Sequence, residues 1–350
     1  MATSTVARSL SKGRRIEGTA FDWVMMLTAI WFVGGLFVDG WAHTHGKVDQ
    51  SFFTPWHAIF YSGFMAVALV IAGAFAINRS RGYDWEESIP TGYRLSLVGV
   101  VVFAFGGVFD LIWHTLFGIE QNFQALVSPS HMILILGLFL IVSGPLRAAW
   151  QRPIPRDQAP GFLTLFPTLL SMTFTYSVMT FITFLLHPFV NELVLSVSDN
   201  GSRVSELAQE LTVSDVMLQA GLLTGFVLLV MRRWKLPFGS LTLLLTVNML
   251  ALQMLREDWK LVGVALVVGL LADLAIGRFD PAPDRPLPWR AFAFALPAAL
   301  YLCYFLLTYL TSGIGWTVHV WLGAPVLAGI VGLLLTYVML PVPERQPAGG

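Results

Sequence analysis

Apolar positions along this chain fall in long unbroken runs instead of alternating with polar ones. Ten windows are long enough to cross about 30 Å of hydrocarbon: 20–38, 56–77, 95–116, 130–149, 161–187, 213–231, 238–255, 260–276, 291–311 and 317–340. Each is predicted to be a helix, because an isolated strand leaves its backbone groups unpaired in lipid. The expected fold class is therefore all-α, a polytopic integral membrane protein of about ten transmembrane helices. Windows 238–255 and 260–276 lie close together around Arg256, Glu257, Asp258 and Lys260. In the connection 188–212, Val204, Leu207 and Leu211 recur at helical spacing beside Glu206 and Glu210, which predicts a short amphipathic helix on the outer interface.

Composition agrees with this pattern. Of 350 residues, 56% are hydrophobic and 12% charged, against about 25% charged in ordinary soluble domains. That excludes a soluble enzyme, a disordered chain and a nucleic-acid binder, the last also because 21 basic and 21 acidic residues cancel. The distribution of charge is more telling than its total. With the N-terminus cytoplasmic, 17 of the 21 basic residues fall on the cytoplasmic side of a ten-span map, leaving Lys47, Arg203, Arg256 and Lys260 outside. The positive-inside rule thus places both termini in the cytoplasm of a cell-membrane protein. The expected organisation is a cytoplasmic tail over 1–19, a ligand-bearing half over 20–149, a remaining bundle over 150–340 and a second tail over 341–350.

The chain also matches itself. Gly35, Asp39, His43, Thr44, Asp49, Phe52, Thr54, Pro55, His57, Ile59 and Gly63 recur as Gly106, Asp110, His114, Thr115, Glu120, Phe123, Ser128, Pro129, His131, Ile133 and Gly137. The offset is 71 up to Phe123 and 74 after it, because Ala125, Leu126 and Val127 are extra. Each copy spans a helical hairpin, and both hairpins enter from the cytoplasm, so the repeat is expected to be parallel.

The repeated positions carry metal-ligand chemistry. Asp and His four residues apart share one helix face. Thr54-Pro55 and Ser128-Pro129 read as an N-cap followed by proline at the first helical position, which puts His57 and His131 in the first turn of the returning helix. Each hairpin would gather one carboxylate and two imidazoles, a set suited to copper, iron or zinc. Asp39, His43, His57, Asp110, His114 and His131 are the candidate ligands. His45, Asp49, Glu120, His187 and His319 are possible additional ligands or hydrogen-bond partners of ligands. All seven histidines fall on the extracytoplasmic side of this map, and the single cysteine, Cys303, excludes thiolate sites. Ionisable residues at membrane depth are costly and usually functional. Asp273 is expected to pair with Arg278, and Asn248 and Gln253 to join helices.

Asp39-x3-His43 followed by His57 resembles the copper-ligand motif in the C subunit of particulate methane and ammonia monooxygenases. Asp110, His114 and His131 would then be the second intramembrane set, with Asp where that family often has Asn. The resemblance covers about residues 35–137. It implies a copper site and an oxidoreductase activity, with further membrane subunits as partners. This chain departs from the family in its number of spans and in its longer second loop. As a whole the chain is also similar to uncharacterised multi-pass membrane proteins of bacteria, which implies no activity.

The expected function is that of an integral membrane metalloprotein with one or two outer-boundary Asp-His-His sites. Copper is favoured as the metal, with zinc or iron as alternatives, and the activity is expected to be monooxygenase-like on an apolar or lipid-soluble substrate. A zinc-dependent hydrolase at the outer interface is the first rival, although the His-x3-His motif of seven-span ceramidase-like hydrolases is absent and only His319 lies in the last span. A metal-handling or transport protein is the second, although spans one to four carry few polar groups below the outer boundary. The expected partners are the lipid bilayer and either further membrane subunits or a second copy of the chain.

Overall fold

The computed structural model describes residues 13–47, 52–118, 120, 123–153, 161–191, 193–195 and 202–339. The described residues are helical with connecting turns. The long elements are α1 (Thr19–Thr44), α2 (Pro55–Ser80), α4 (Arg94–Phe117), α8 (Phe162–Ile182), α9 (Arg203–Arg233), α11 (Lys260–Phe279), α12 (Pro286–Thr311) and α13 (Val318–Met339). Shorter ones are α3 (Trp85–Ser88), α5 (Phe123–Val127), α6 (Pro129–Val142), α7 (Gly144–Gln151) and α10 (Ser240–Arg256). Among the described residues nine helical stretches are long and apolar enough to cross a bilayer, with α6 and α7 counted together as Pro129–Gln151. Their outward faces are apolar, with Leu69, Val101, Phe105, Leu310 and Leu334 all exposed. Such a surface is stable only against lipid.

The tenth expected span is shorter than the other nine. α10 has 17 residues, or about 25 Å of rise. It is bounded by Gly239 and Glu257, both in the left-handed region. Asp273 fixes its start, accepting from the backbone N–H of Leu241 (3.0 Å) and Thr242 (2.9 Å) and from the Thr242 hydroxyl (2.6 Å). This corrects the expected pairing of Asp273 with Arg278: the orphan donors of a helix N-terminus are the stronger claim on a buried carboxylate. The separate interfacial helix is also corrected. Val204, Leu207 and Leu211 belong to the first turns of α9, which Ser202 caps and which runs unbroken to Arg233. No Gly or Pro lies between 203 and 213 to stop it. Asn248 and Gln253 do join segments, through Thr180 (2.7 Å) and the Phe189 carbonyl (3.1 Å).

Two hydrophobic cores meet at α8. One gathers α1, α2, α4 and α6; the other gathers α9 to α13. The most apolar window of α8 is 83% buried, against 28% for α4 and for α13, so α8 is the central post and the other two face outward. The break between α6 and α7 falls at Ser143-Gly144-Pro145, where proline lacks the N–H that a helix needs. The released carbonyls of Leu140 and Ile141 are taken by Ser96 (3.1 and 3.3 Å) and by Arg147 (2.8 Å to Leu140). At the same end of the bundle, buried Asp22 accepts from the Tyr93 hydroxyl at 2.7 Å and pairs with Arg152.

The hairpins α1–α2 and α4–α6 close on glycine. A Cβ at Gly63 would meet the Phe32 Cα at 2.6 Å, and one at Gly137 the Phe103 nitrogen at 2.7 Å. Phe32 and Phe103 stand at the repeat offset of 71 and meet each other edge to face at 5.0 Å. Gly137→Val should therefore force α4 and α6 apart and destabilise the protein by about 1–3 kcal/mol. Gly73→Ala, where nothing lies within 4 Å, should be neutral or stabilising by up to about 1 kcal/mol. Thermal unfolding in detergent, followed by circular dichroism, compares the two.

Candidate metal centre

The glycine contacts set the spacing at one end of the two hairpins. There α1 and α4 end on Asp-x3-His, and α2 and α6 begin on Pro-x-His. Thr54 accepts from the His57 N–H at 3.1 Å, as an N-cap should. Ser128 corrects the parallel expectation. It makes no cap; its hydroxyl donates to Glu120 at 2.7 Å and pairs with Ser130 at 2.9 Å, because a nearby carboxylate is a stronger acceptor than a backbone donor is a partner.

Asp39, His43 and His57 form one group and Asp110, His114 and His131 a second, each with one ligand atom per residue and all three within 4.8 Å of one another. Asp39 lies 3.9 Å from the His43 Nε2 and 3.5 Å from the His57 Nε2. Asp110 Oδ1 lies 3.4 Å from the His114 Nε2 and 3.2 Å from the His131 Nε2. Metal–ligand bonds of about 2.0–2.2 Å place two ligand atoms about 3–3.5 Å apart in a tetrahedral site. The carboxylate–imidazole distances of the second group are at that spacing, and those of the first reach slightly wider.

The other nitrogen of each ring decides the chemistry. His57 Nδ1 is 2.6 Å from the Phe52 carbonyl and His131 Nδ1 2.5 Å from the Ala125 carbonyl. A carbonyl only accepts, so both Nδ1 atoms carry the proton. His114 Nδ1 faces the Glu120 carboxylate at 3.0 Å and the Gly118 carbonyl at 3.3 Å. Three Nε2 atoms thus turn toward a carboxylate. Neutral rings would point lone pairs at negative oxygens, so a proton, carried by Nε2 or by the carboxyl, or a shared cation must lie between them. Asp39 Oδ1, Asp110 Oδ1 and His114 Nε2 are buried and form no hydrogen bond of acceptable geometry. With an orphaned carboxylate oxygen in each group and orienting acceptors behind the imidazoles, the two groups could each hold a metal ion.

The two groups adjoin crosswise. The His43 ring lies 6.4 Å from His131, and the His57 ring 6.5 Å from His114. Tyr61 reaches across from α2 and donates to Asp110 Oδ2 at 3.5 Å. Phe52 packs on His57, Tyr61 and His114. Neither Tyr61 nor Phe52 was evident as a site residue from the sequence. Tyr61 lacks a counterpart in the repeat, and that difference was the available signal.

The remaining expected residues separate. Glu120 joins the second group through His114. Asp49 lies outside the described residues. His45 turns to the Trp41 carbonyl (2.9 Å) and Glu257 (3.5 Å), and His319 is exposed in the first turn of α13. His187 is buried after α8, accepting from the Phe189 N–H at 3.3 Å. No family model, curated protein or solved structure matches the chain.

Two outcomes follow. Glu120→Ala removes the acceptor that orients His114 and should weaken metal binding at the second group by about 10–100-fold while sparing the first. Competition with a chelator of known affinity measures this. Burial holds the His187 pKa down at about 3, from an ordinary 6.5. Between those values the unfolded chain binds the extra proton, so His187 costs stability as pH falls below about 6.5, by about 1.4 kcal/mol per unit. His187→Asn should flatten that part of the acid unfolding profile and leave metal content unchanged.

Proposed function

We propose that this protein is an integral membrane metalloprotein whose paired Asp-His-His groups bind copper and serve a monooxygenase-like oxidation of an apolar substrate. The observation that carries the reading is a pair of carboxylates, Asp110 buried and Asp39 half-buried, each with one oxygen lacking a hydrogen-bond partner and each faced by two Nε2 atoms, with three of the four rings fixed from behind through Nδ1. Asp39, His43 and His57 would hold one ion, and Asp110, His114 and His131 another. All six are nitrogen or oxygen donors, a set that suits copper, iron or zinc. Copper held there would supply one-electron redox chemistry. Glu120 fixes the His114 ring, the Phe52 and Ala125 carbonyls fix His57 and His131, and the apolar helices exclude water.

The reading includes a parallel duplication of the hairpin, supported by the shared offset and the shared glycine contacts. It also includes an extracytoplasmic position for the metal groups in the cell membrane, supported by the sorting of basic residues to the other ends of the spans.

Metal analysis of the detergent-purified protein tests this. Copper at up to two ions per chain is expected, with His43→Ala and His114→Ala each losing about one. Zinc in the same stoichiometry would transfer the reading to a hydrolase at the outer interface, where zinc activates water. Absence of bound metal after copper loading, with both variants folded like the parent, overturns it.

A further inference from the structure

The two halves of the site are not equivalent in the space around them. On one side a cavity of about 320 Å³ reaches Asp39, His43 and His131. The rest of its wall is almost wholly apolar, including Leu36, Leu134, Ile135, Phe181 and Phe184. On the other side of the cluster a ring occupies the corresponding place. The repeat identifies that ring. Offset 74 carries Tyr61 onto Ile135, and offset 71 carries Leu36 onto Gly107. Tyr61 lies over Gly107, where a Cβ would meet its ring at 2.9 Å. Its hydroxyl is spent on Asp110 and its ring on Phe52 and His57. On the open side Ile135 has a short branched aliphatic side chain in place of a ring and has no hydroxyl, so it cannot bridge to Asp39 as Tyr61 bridges to Asp110.

The crosswise contacts make this comparison legitimate. Exchanging the two hairpins turns the His43–His131 pair into the His114–His57 pair, and both are separated by nearly the same distance. Phe32 and Phe103, which exchange with each other, touch. The cavity and the Tyr61–Phe52 plug thus occupy corresponding places. Specificity in such pockets comes from an apolar body and a few convergent polar groups.

We propose that the His43–His131 side alone is a binding site for a molecule with an apolar chain and one polar end. The polar end would meet Asp39 and the two imidazoles, and the chain would lie along Leu134, Ile135 and Phe184. Tyr61 closes the opposite side and positions Asp110. The assignment deepens the metalloprotein reading by naming where and what that site binds, and its test separates the two.

The full-length protein in detergent is photolabelled with octanol carrying an aliphatic diazirine, and labelled peptides are mapped by mass spectrometry. Label on the Leu36–Thr44, Ala125–Ile135 and Phe181–Leu185 segments, displaced by unlabelled octanol, is expected. Ile135→Tyr should reduce that label at least tenfold, whereas Ile135→Ala should keep it, which separates filling of the cavity from misfolding. Tyr61→Ile should add label at Leu111 and Thr115. Uniform label over outward-facing helices, unchanged by Ile135→Tyr, overturns the assignment. A phospholipid retained mole for mole and displaced by octanol identifies the occupant as a bilayer lipid, and its absence as a free small molecule; both fit the site. Labelling is repeated on copper-loaded and chelator-treated protein. Site label without bound metal sinks the metalloprotein reading alone, and bound metal without site label sinks this assignment alone.

Discussion

The carboxylate–imidazole contact at Asp110 is the constraint on which the arrangement of the first four long helices depends. An anionic oxygen buried among apolar helices is costly unless opposite charge compensates it. Two Nε2 atoms approach it within 3.4 Å, and neither ring is free to turn away. His131 is anchored through Nδ1 to the Ala125 carbonyl and His114 to Glu120. A proton or a cation must therefore come to the site. Asp39 repeats the problem with His43 and His57 at slightly longer distances. A single divalent ion answers each case with one species, where protonation needs a separate proton on each ring.

Holding those rings in place requires stiff helices at short separation, and glycine supplies it. Gly35 and Gly63 let α1 and α2 approach until backbone meets backbone, and Gly137 does the same against Phe103. In lipid there is little hydrophobic drive between helices, so close van der Waals contact of this kind carries the association. The aromatic cluster of Phe32, Phe60, Phe64 and Phe103 fills what lies beneath the metal groups. The site sits on a packed floor instead of on loops, which suits a function that depends on fixed geometry.

Much of this was legible in the sequence, and the reasons are physical. Lipid imposes one periodicity and one minimum length, so spans such as α2 and α13 announce themselves. The two Asp-His-His groups were visible because the same residue types recur at a near-constant offset in the sequence. What stayed hidden depended on tertiary partners. Asp273 has Arg278 five residues away in sequence, but its real partners are the first amides of α10, thirty residues off. Val204, Leu207 and Leu211 have an amphipathic rhythm, yet rhythm cannot say whether a helix stops, and this one continues to Arg233. His45 sits two residues from a candidate ligand and still faces Glu257, because two steps along a helix turn a side chain to a different face.

Beside the exchange of Tyr61 for Ile135, the two halves differ locally in length. The three residues Ala125, Leu126 and Val127 have no counterpart in the first hairpin. They complete the short helix α5, whose Ala125 carbonyl takes over the role of Phe52 in fixing an imidazole. In the first hairpin Phe52 both orients His57 by its carbonyl and covers it with its ring. In the second, Ala125 supplies the carbonyl and only a methyl group. The orienting function is preserved in both hairpins. Ala125 and Leu126 form part of the wall of the cavity beside His131. The two Asp-His-His groups thus keep the same residue types while the space beside them differs.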